Sequence, residues 1–293
     1  MVAADRLPKP LSLSYKLMGS GSQRVLLIMG LSAAGDAWLP QATFIAKHDF
    51  QVCIFDNRGV GYSVSSSRAN MTYSTKEMAH DTRELLDHIG WSSNVHVVGV
   101  SMGGMIALEL TSTYPAYVAS LCLTSSHAGM TMPPITGVVT LPRILMMTDI
   151  EKRIKAQCTM LFPKAWLEQP SKDDPSQTNE ERMIALFKER VVHTPLQPLN
   201  GVLGQLSAVM RHHVGRERLQ KIRETGIPIL VCTGTEDNLV RPSNSHFMAE
   251  VLGARLVVFD GCGHLISLQE PERYNQLLVE HFQSVQSSAK TSS

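Results

Sequence analysis

Residues 95 to 104 read Val-His-Val-Val-Gly-Val-Ser-Met-Gly-Gly. A β-branched run leads into Gly99-x-Ser101-x-Gly103, and a helical pattern follows at once. The pattern describes a serine on a sharp strand-to-helix turn, with glycines where side chains would collide. A serine hydroxyl is a poor nucleophile at neutral pH until a base takes its proton. The turn lifts it clear of its sheet, and the helix start behind it offers unpaired N–H groups to a developing negative charge. The chemistry in view is attack on a carbonyl carbon.

Such a serine needs a base and a carboxylate to orient that base. The strand-like run Pro228–Thr235 is followed by Glu236-Asp237-Asn238, and the run Arg255–Asp260 by Gly261-Cys262-Gly263-His264. A carboxylate and a histidine therefore follow the last two strands. Asp237 is preferred to Glu236 as the acid because Glu236 belongs to the strand end. His127 and Asp260 also sit near strand ends, and no carboxylate directly follows Val118–Ser125. Cys262, two residues before His264, reads as a packing residue, and Arg58 as a brace for the turn after its strand.

The elements that must position these groups alternate along the chain. Arg24–Met29 and Phe50–Asp56 are short apolar runs suited to strands buried on both faces. Ser74-x-x-Glu77 is a capping box flanked by Tyr73 and Met78, and it opens a helix with Met78, Leu85, Leu86 and Ile89 on one face, closed by Gly90. Asn94–Val100 is the next strand, Ser101–Tyr114 the next helix, and Val118–Ser125 another strand. From His127 to Val214 strand signals are weak. Thr148-x-x-Glu151 and Thr178-x-x-Glu181 predict two helix starts, and Val202, Leu206, Val209 and Met210 a third helix. The alternation then resumes, with a helix over Ser243–Leu252 and a last helix over Glu270–Val285. The fold class expected is α/β: a mostly parallel sheet with helices on both faces and a helical insertion. The core comprises 1–126 and 215–293 and the insertion 127–214. Ligands of such sheets bind at the strand C-termini.

Four segments carry a resemblance over about residues 11 to 287: Met29-Gly30-Leu31; Asp56-Asn57-Arg58-Gly59-Val60-Gly61-Tyr62-Ser63; Gly99-Val100-Ser101-Met102-Gly103-Gly104; and Gly234-Thr235-Glu236-Asp237 with Gly263-His264. The chain resembles capped members of the α/β-hydrolase superfamily, of the esterase, lactonase and haloperoxidase-like kind. The order Ser101, Asp237, His264 is the family's order. The resemblance implies a serine hydrolase with that triad, and an oxyanion hole made of the backbone N–H groups of Met102 and Leu31. A His-Gly pair is usual before the second donor; this chain has Met29-Gly30, as do aclacinomycin methylesterase-like enzymes, which leans toward ester hydrolysis. The insertion is then a cap. The resemblance requires no metal or organic cofactor, and the adjacent His212-His213 pair is poorly spaced for joint ligation on a helix.

Bulk properties bound the rest. The chain has 293 residues, 43% hydrophobic and 18% charged, with a net charge of +1. That is an ordinary globular composition, with no electrostatic case for nucleic acid or anionic membranes. The five cysteines show no Cys-x-x-Cys spacing, and Cys53, Cys122 and Cys232 lie in apolar strand-like runs. Free thiols point to a reducing, cytoplasmic setting. Met1 to Pro10 has no apolar signal core, Thr291-Ser292-Ser293 is no peroxisomal address, and no apolar run is long enough to span a membrane. The Ser/Thr/Lys tail is expected to be disordered. The Met- and Leu-rich run Met130–Met147 either packs the insertion onto the core or forms a flexible apolar acyl pocket. The substrate expected is a small to medium, uncharged, fairly apolar ester or lactone. Lactone opening, carbon–carbon bond hydrolysis and perhydrolysis use the same triad, and a small-ligand receptor on a hydrolase fold has the same residues. Dehalogenases and epoxide hydrolases need a carboxylate where Ser101 stands.

Overall fold

Seven strands form one sheet in the order β1-β3-β2-β4-β5-β6-β7. They are β1 (Tyr15–Met18), β2 (Gln23–Ile28), β3 (Phe50–Phe55), β4 (Val95–Val100), β5 (Val118–Thr124), β6 (Ile229–Gly234) and β7 (Arg255–Phe259). The structure, a computed structural model, describes residues 11–63, 72–129 and 131–290. Met1–Pro10, Met130 and residues 291–293, on which several sequence expectations fall, lie outside them. Only β1 runs antiparallel, on the sheet edge against β3. The inner strands are apolar on both faces: Val25 to Ile28, Val97, Val98, Leu121 to Leu123 and Leu230 to Cys232 are fully buried. Residues buried on both sides of a pleat cannot alternate with polar ones, which is why these strands read as continuous apolar runs.

Helices cover both faces. On one face, α2 (Thr75–His88), α3 (Met102–Thr113), α9 (Arg216–Glu224) and α10 (Pro242–Leu252) pack Met78, Leu85, Ile106, Leu110, Leu219 and Met248 into a single core. On the other, α1 (Leu39–Ile45) and α12 (Pro271–Lys290) bring Ala42, Ile45, Tyr274, Leu278 and Phe282 onto Phe50, Val98 and Cys232. Between β5 and α9 lie α4 (Ile135–Met146), α5 (Ile150–Leu161), α6 (Lys164–Leu167), α7 (Asn179–His193) and α8 (Leu199–Met210). Here α5, α6 and α7 share a third core around Ile154, Phe162, Met183 and Phe187. The chain leaves and re-enters the sheet side by side: Gly129 pairs with His213, and the Val214 N–H donates to the Ala128 carbonyl at 2.7 Å. The short α11 (Ile266–Gln269) follows β7.

Strand boundaries fall within one residue of the sequence reading, while several local expectations need correction. Edge strand β1 and helix α1 were not anticipated, although Leu11 and Leu13 alternate with serines and are buried. The capping boxes at Ser74 and Thr178 are present with both reciprocal hydrogen bonds. The one expected at Thr148 is not: α5 is capped one residue later by Asp149, whose carboxylate accepts from the Glu151 and Lys152 N–H groups. A carboxylate at a helix start also meets the positive end of the dipole. Helix α4 buries Ile144 but leaves much of its apolar surface outside, since Ile135, Val138, Val139 and Met146 are 79%, 45%, 50% and 83% exposed. In α8 the buried residues are Gly201, Gly204, Gln205 and Ala208, and Met210 is exposed. Close approach to the loop at Gly59 selects small residues there: a Cβ on Gly201 would stand 2.0 Å from the Gly59 carbonyl oxygen. The last helix continues to Lys290, past the expected end at Val285.

Four histidines are held neutral inside this fold. Burial pushes His96, His127 and His281 down to about 4 and His212 to about 3. Their unfolded-state value is about 6.5, so the unfolded chain binds more protons between the two values and stability is lost as pH falls through that window. Asp56, whose carboxyl is pushed up by burial, works in the opposite sense but is one group against four. The thermal midpoint is therefore expected to fall between about pH 7 and pH 5. A midpoint that holds or rises in a thermal melt over that range would contradict the assignment.

Candidate active site

Ser101 sits between β4, the central strand, and α3, with φ 55° and ψ −121°. An L-residue in this region carries strain of about 1–3 kcal/mol. The surroundings enforce it. The Ser101 N–H donates to Thr124 of the adjacent strand at 2.9 Å, and the Ser101 carbonyl accepts from the Gly104 and Met105 amides and from Ser126 Oγ. A Cβ on Gly103 would lie 2.1 Å from the Ile28 carbonyl oxygen and one on Gly99 2.3 Å from that of Gly103, so the turn closes only with glycine at both positions. Because the helical bonds begin at Gly104, the Met102 amide lies before the first of them, at the positive end of α3. Gly30, in the loop after β2, abuts the serine: a Cβ there would stand 3.2 Å from Ser101 Cβ. Leu31 follows directly.

Asp237 follows β6 and His264 follows β7, both at strand C-terminal ends. His264 Nδ1 lies 2.8 Å from Asp237 Oδ2, and both residues are buried. A carboxylate can only accept, so Nδ1 carries the proton of this bond, which leaves Nε2 as the nitrogen free of Asp237. The other carboxylate oxygen, Oδ1, accepts from the Leu239 and Val240 amides at 2.8 Å each, fixing the acid in place. Glu236 is exposed. The two strand ends are tied together where the Glu236 N–H donates to the Cys262 carbonyl. The His264 N–H donates to Leu161, the last residue of α5, at 2.9 Å, so the insertion is attached directly to the histidine loop. No hydrogen bond joins Ser101 Oγ to His264 among the described residues; such bonds commonly tighten only when substrate is bound.

The remaining candidates fall outside this constellation. His127 Nδ1 accepts from the Gly129 N–H, and Asp260 accepts from Thr235 Oγ1. Cys262 is buried, and burial pushes its thiol up to about 11, which keeps it a neutral packing group. No cluster of three or more His, Cys, Asp or Glu side chains fit to hold a metal occurs among the described residues. Arg58 donates from Nε and Nη2 to the two oxygens of Asp81, at 2.5 and 2.6 Å. Asp81 is 2% exposed. Asp81→Asn would leave a part-buried guanidinium without its paired carboxylate, and is expected to cost up to about 3–5 kcal/mol in chemical denaturation. A loss under about 1 kcal/mol would place the pair among screened surface bridges.

Sequence reading passed over Ser126, Asn57 and Gln205, all buried and hydrogen-bonded to the segments around Ser101. Asn57 was quoted only as part of a motif. Neither Ser126 nor Gln205 belongs to one, and a lone polar residue in an apolar stretch carries no signal of which backbone group it will reach.

Strand ends converging on a strained serine are what α/β hydrolases are built to provide. This chain belongs to that family: the family model described as alpha/beta hydrolase fold matches residues 23–271. A protein of Azorhizobium caulinodans named carbamate hydrolase RutD is 29% identical over 271 residues, covering 91% of this chain and 93% of that protein. Among solved structures, a thermophilic esterase from Thermogutta terrifontis superposes with TM-score 0.76 at 23% identity, covering 97% of both chains. An enol-lactonase from Burkholderia xenovorans superposes with TM-score 0.76 at 21% identity, covering 93% of this chain and 97% of that one. At these identities the two structures speak to the fold. No helix among the described residues is long and apolar enough to cross a membrane.

Proposed function

We propose that this hydrolase cleaves carboxylic esters of small to medium, fairly apolar molecules through a Ser101–His264–Asp237 triad, with residues 127–214 as a cap over the site. The observation that carries the reading is the buried 2.8 Å bond from His264 Nδ1 to Asp237, at strand ends on the same edge of the sheet as Ser101. His264 Nε2 takes the Ser101 proton as Oγ attacks the carbonyl carbon. Asp237 holds the imidazole tautomer and stabilises the imidazolium. The Met102 and Leu31 N–H groups receive the oxyanion, each worth about 3–4 kcal/mol when removed. The imidazolium protonates the leaving alcohol, and water, activated by the same imidazole, releases the acyl group from Ser101.

Carbamates are the second reading, favoured by the name of the relatives matched over nine-tenths of the chain. A carbamoyl carbon meets the same nucleophile and the same oxyanion donors. The test is turnover of p-nitrophenyl esters of graded chain length, of lactones and of an aryl carbamate, with fluorophosphonate labelling mapped by peptide mass spectrometry. Short apolar esters should turn over fastest and the label should sit on Ser101. Best turnover on charged acyl groups would overturn the apolar-substrate reading, a faster carbamate would replace ester by carbamate, and a label elsewhere would overturn the triad.

A further inference from the structure

We infer that Gln205, a residue of the helical insertion, is a positioning residue for the Leu31 oxyanion donor, acting with Asn57 as a two-sided clamp on the loop after β2. The inference rests on the reading of Leu31 as that donor.

Three successive peptide units make up the loop: Met29–Gly30, Gly30–Leu31 and Leu31–Ser32. The middle one carries the Leu31 N–H. The first is held from one side, where Asn57 Nδ2 donates to the Met29 carbonyl at 2.8 Å. The third is held from the other, where the Ser32 N–H donates to Gln205 Oε1 at 2.8 Å. Asn57 and Gln205 are 2% and 0% exposed, so the Asn57 bond is shut off from water and the Gln205 bond is partly so. Ser32 has φ 59°, a left-handed conformation that costs a non-glycine residue energy and needs outside support. With both flanking peptides fixed, the middle one loses most of its freedom to rotate, and its N–H stays directed beside Ser101. Preorganised donors stabilise an oxyanion because they need not turn toward it during the reaction.

Gln205 is itself held. Its Nε2 donates to the Arg58 carbonyl at 3.0 Å, and its Oε1 also accepts from Gln197 Nε2 at 3.2 Å. Arg58 is locked to Asp81, and Arg58 neighbours Asn57 in the chain. Both halves of the clamp therefore stand on the loop after β3, one directly and one through α8. The small residues Gly201 and Gly204 let α8 approach closely enough for this reach, with Gly201 against Gly59 and Gly204 against the Tyr73 ring. An insertion that only covered the site would have no need of a buried amide bonded to the loop backbone.

The test compares wild type, Gln205→Met and Gln205→Glu with p-nitrophenyl acetate as substrate and an alkyl trifluoromethyl ketone as inhibitor. The ketone adds to a serine as a charged hemiketal and reads the oxyanion hole. Gln205→Met keeps the volume and loses the acceptor. It should lower kcat about 10²-fold with KM within about twofold, and weaken the ketone in parallel. Gln205→Glu keeps an acceptor for Ser32 and, as the neutral acid whose hydroxyl donates to the Arg58 carbonyl, should recover most of kcat. A folded Gln205→Met enzyme with wild-type kcat overturns the inference, as does a loss of kcat without weaker ketone binding, or a Gln205→Glu enzyme no better than Gln205→Met. If Gln205→Met does not fold, Asn57→Ala reads the clamp from its other side by the same split, and wild-type kcat there is equally fatal. Ser101→Ala separates the two levels: full activity in that variant sinks the hydrolase reading itself, whereas an inactive Ser101→Ala beside a fully active Gln205→Met sinks only the clamp.

Discussion

Ser101→Ala is expected to lower kcat by about 10⁴–10⁶-fold, the range seen when a hydrolase nucleophile is removed, while leaving the fold intact. The fold should survive because alanine keeps the Cβ and with it the same backbone strain at φ 55°. The N–H of this residue donates to the Thr124 carbonyl and its carbonyl accepts from the Gly104 and Met105 amides and from Ser126 Oγ, so these bonds engage only the main-chain atoms of Ser101. Ser101→Gly should be equally inactive but more stable, by up to about 1–3 kcal/mol, since glycine adopts this region without a Cβ penalty. The pair thus separates two roles of one position. Initial rates and fluorophosphonate labelling measure the first, and chemical denaturation the second. Activity in Ser101→Ala above about a hundredth of wild type would remove the serine from the mechanism.

Asp237→Asn is expected to cost about 10³–10⁴-fold in kcat with little change in KM. Both oxygens of Asp237 accept, one from His264 Nδ1–H and the other from two backbone amides. An asparagine must turn its NH₂ toward one of these sets. Facing the backbone, it sets donor against two donors, so the amide is driven to face His264. There it forces Nδ1 to become the acceptor and moves the proton to Nε2, the atom that must receive the Ser101 proton. The residual rate reflects the oxyanion donors and substrate binding alone. Kinetics together with imidazole nitrogen shifts would show the tautomer change, and near-wild-type kcat would demote Asp237 to a structural cap for its own loop.

Much of the fold was legible because strands buried on both faces must be apolar along their length. Segments such as Leu26–Ile28 and Leu230–Cys232 announce themselves without knowledge of their neighbours, and their order fixes an α/β plan. The placement of Asp237 and His264 at later strand ends was legible for the same reason, since a strand end is a local event. Reading failed where the deciding interaction was not local. The capping of α5 turned on which of two adjacent side chains, Thr148 or Asp149, reached the open amides. The buried face of α8 turned on the shape of a loop more than a hundred residues earlier, so an apolar stripe through Met210 pointed the wrong way.

The sequence by itself determined the parallel sheet, the sharp turn at Ser101 and the strand ends that carry Asp237 and His264 to the same edge, because periodicity and turn glycines act over a few residues. Only the tertiary structure decided which carboxylate meets His264, that α5 is bonded to the histidine loop, and that Gln205 and Asn57 hold the backbone around Leu31. Those outcomes depend on the packing of segments distant in the chain. A hydrogen bond between a side chain and a remote peptide group leaves no periodic trace in the sequence.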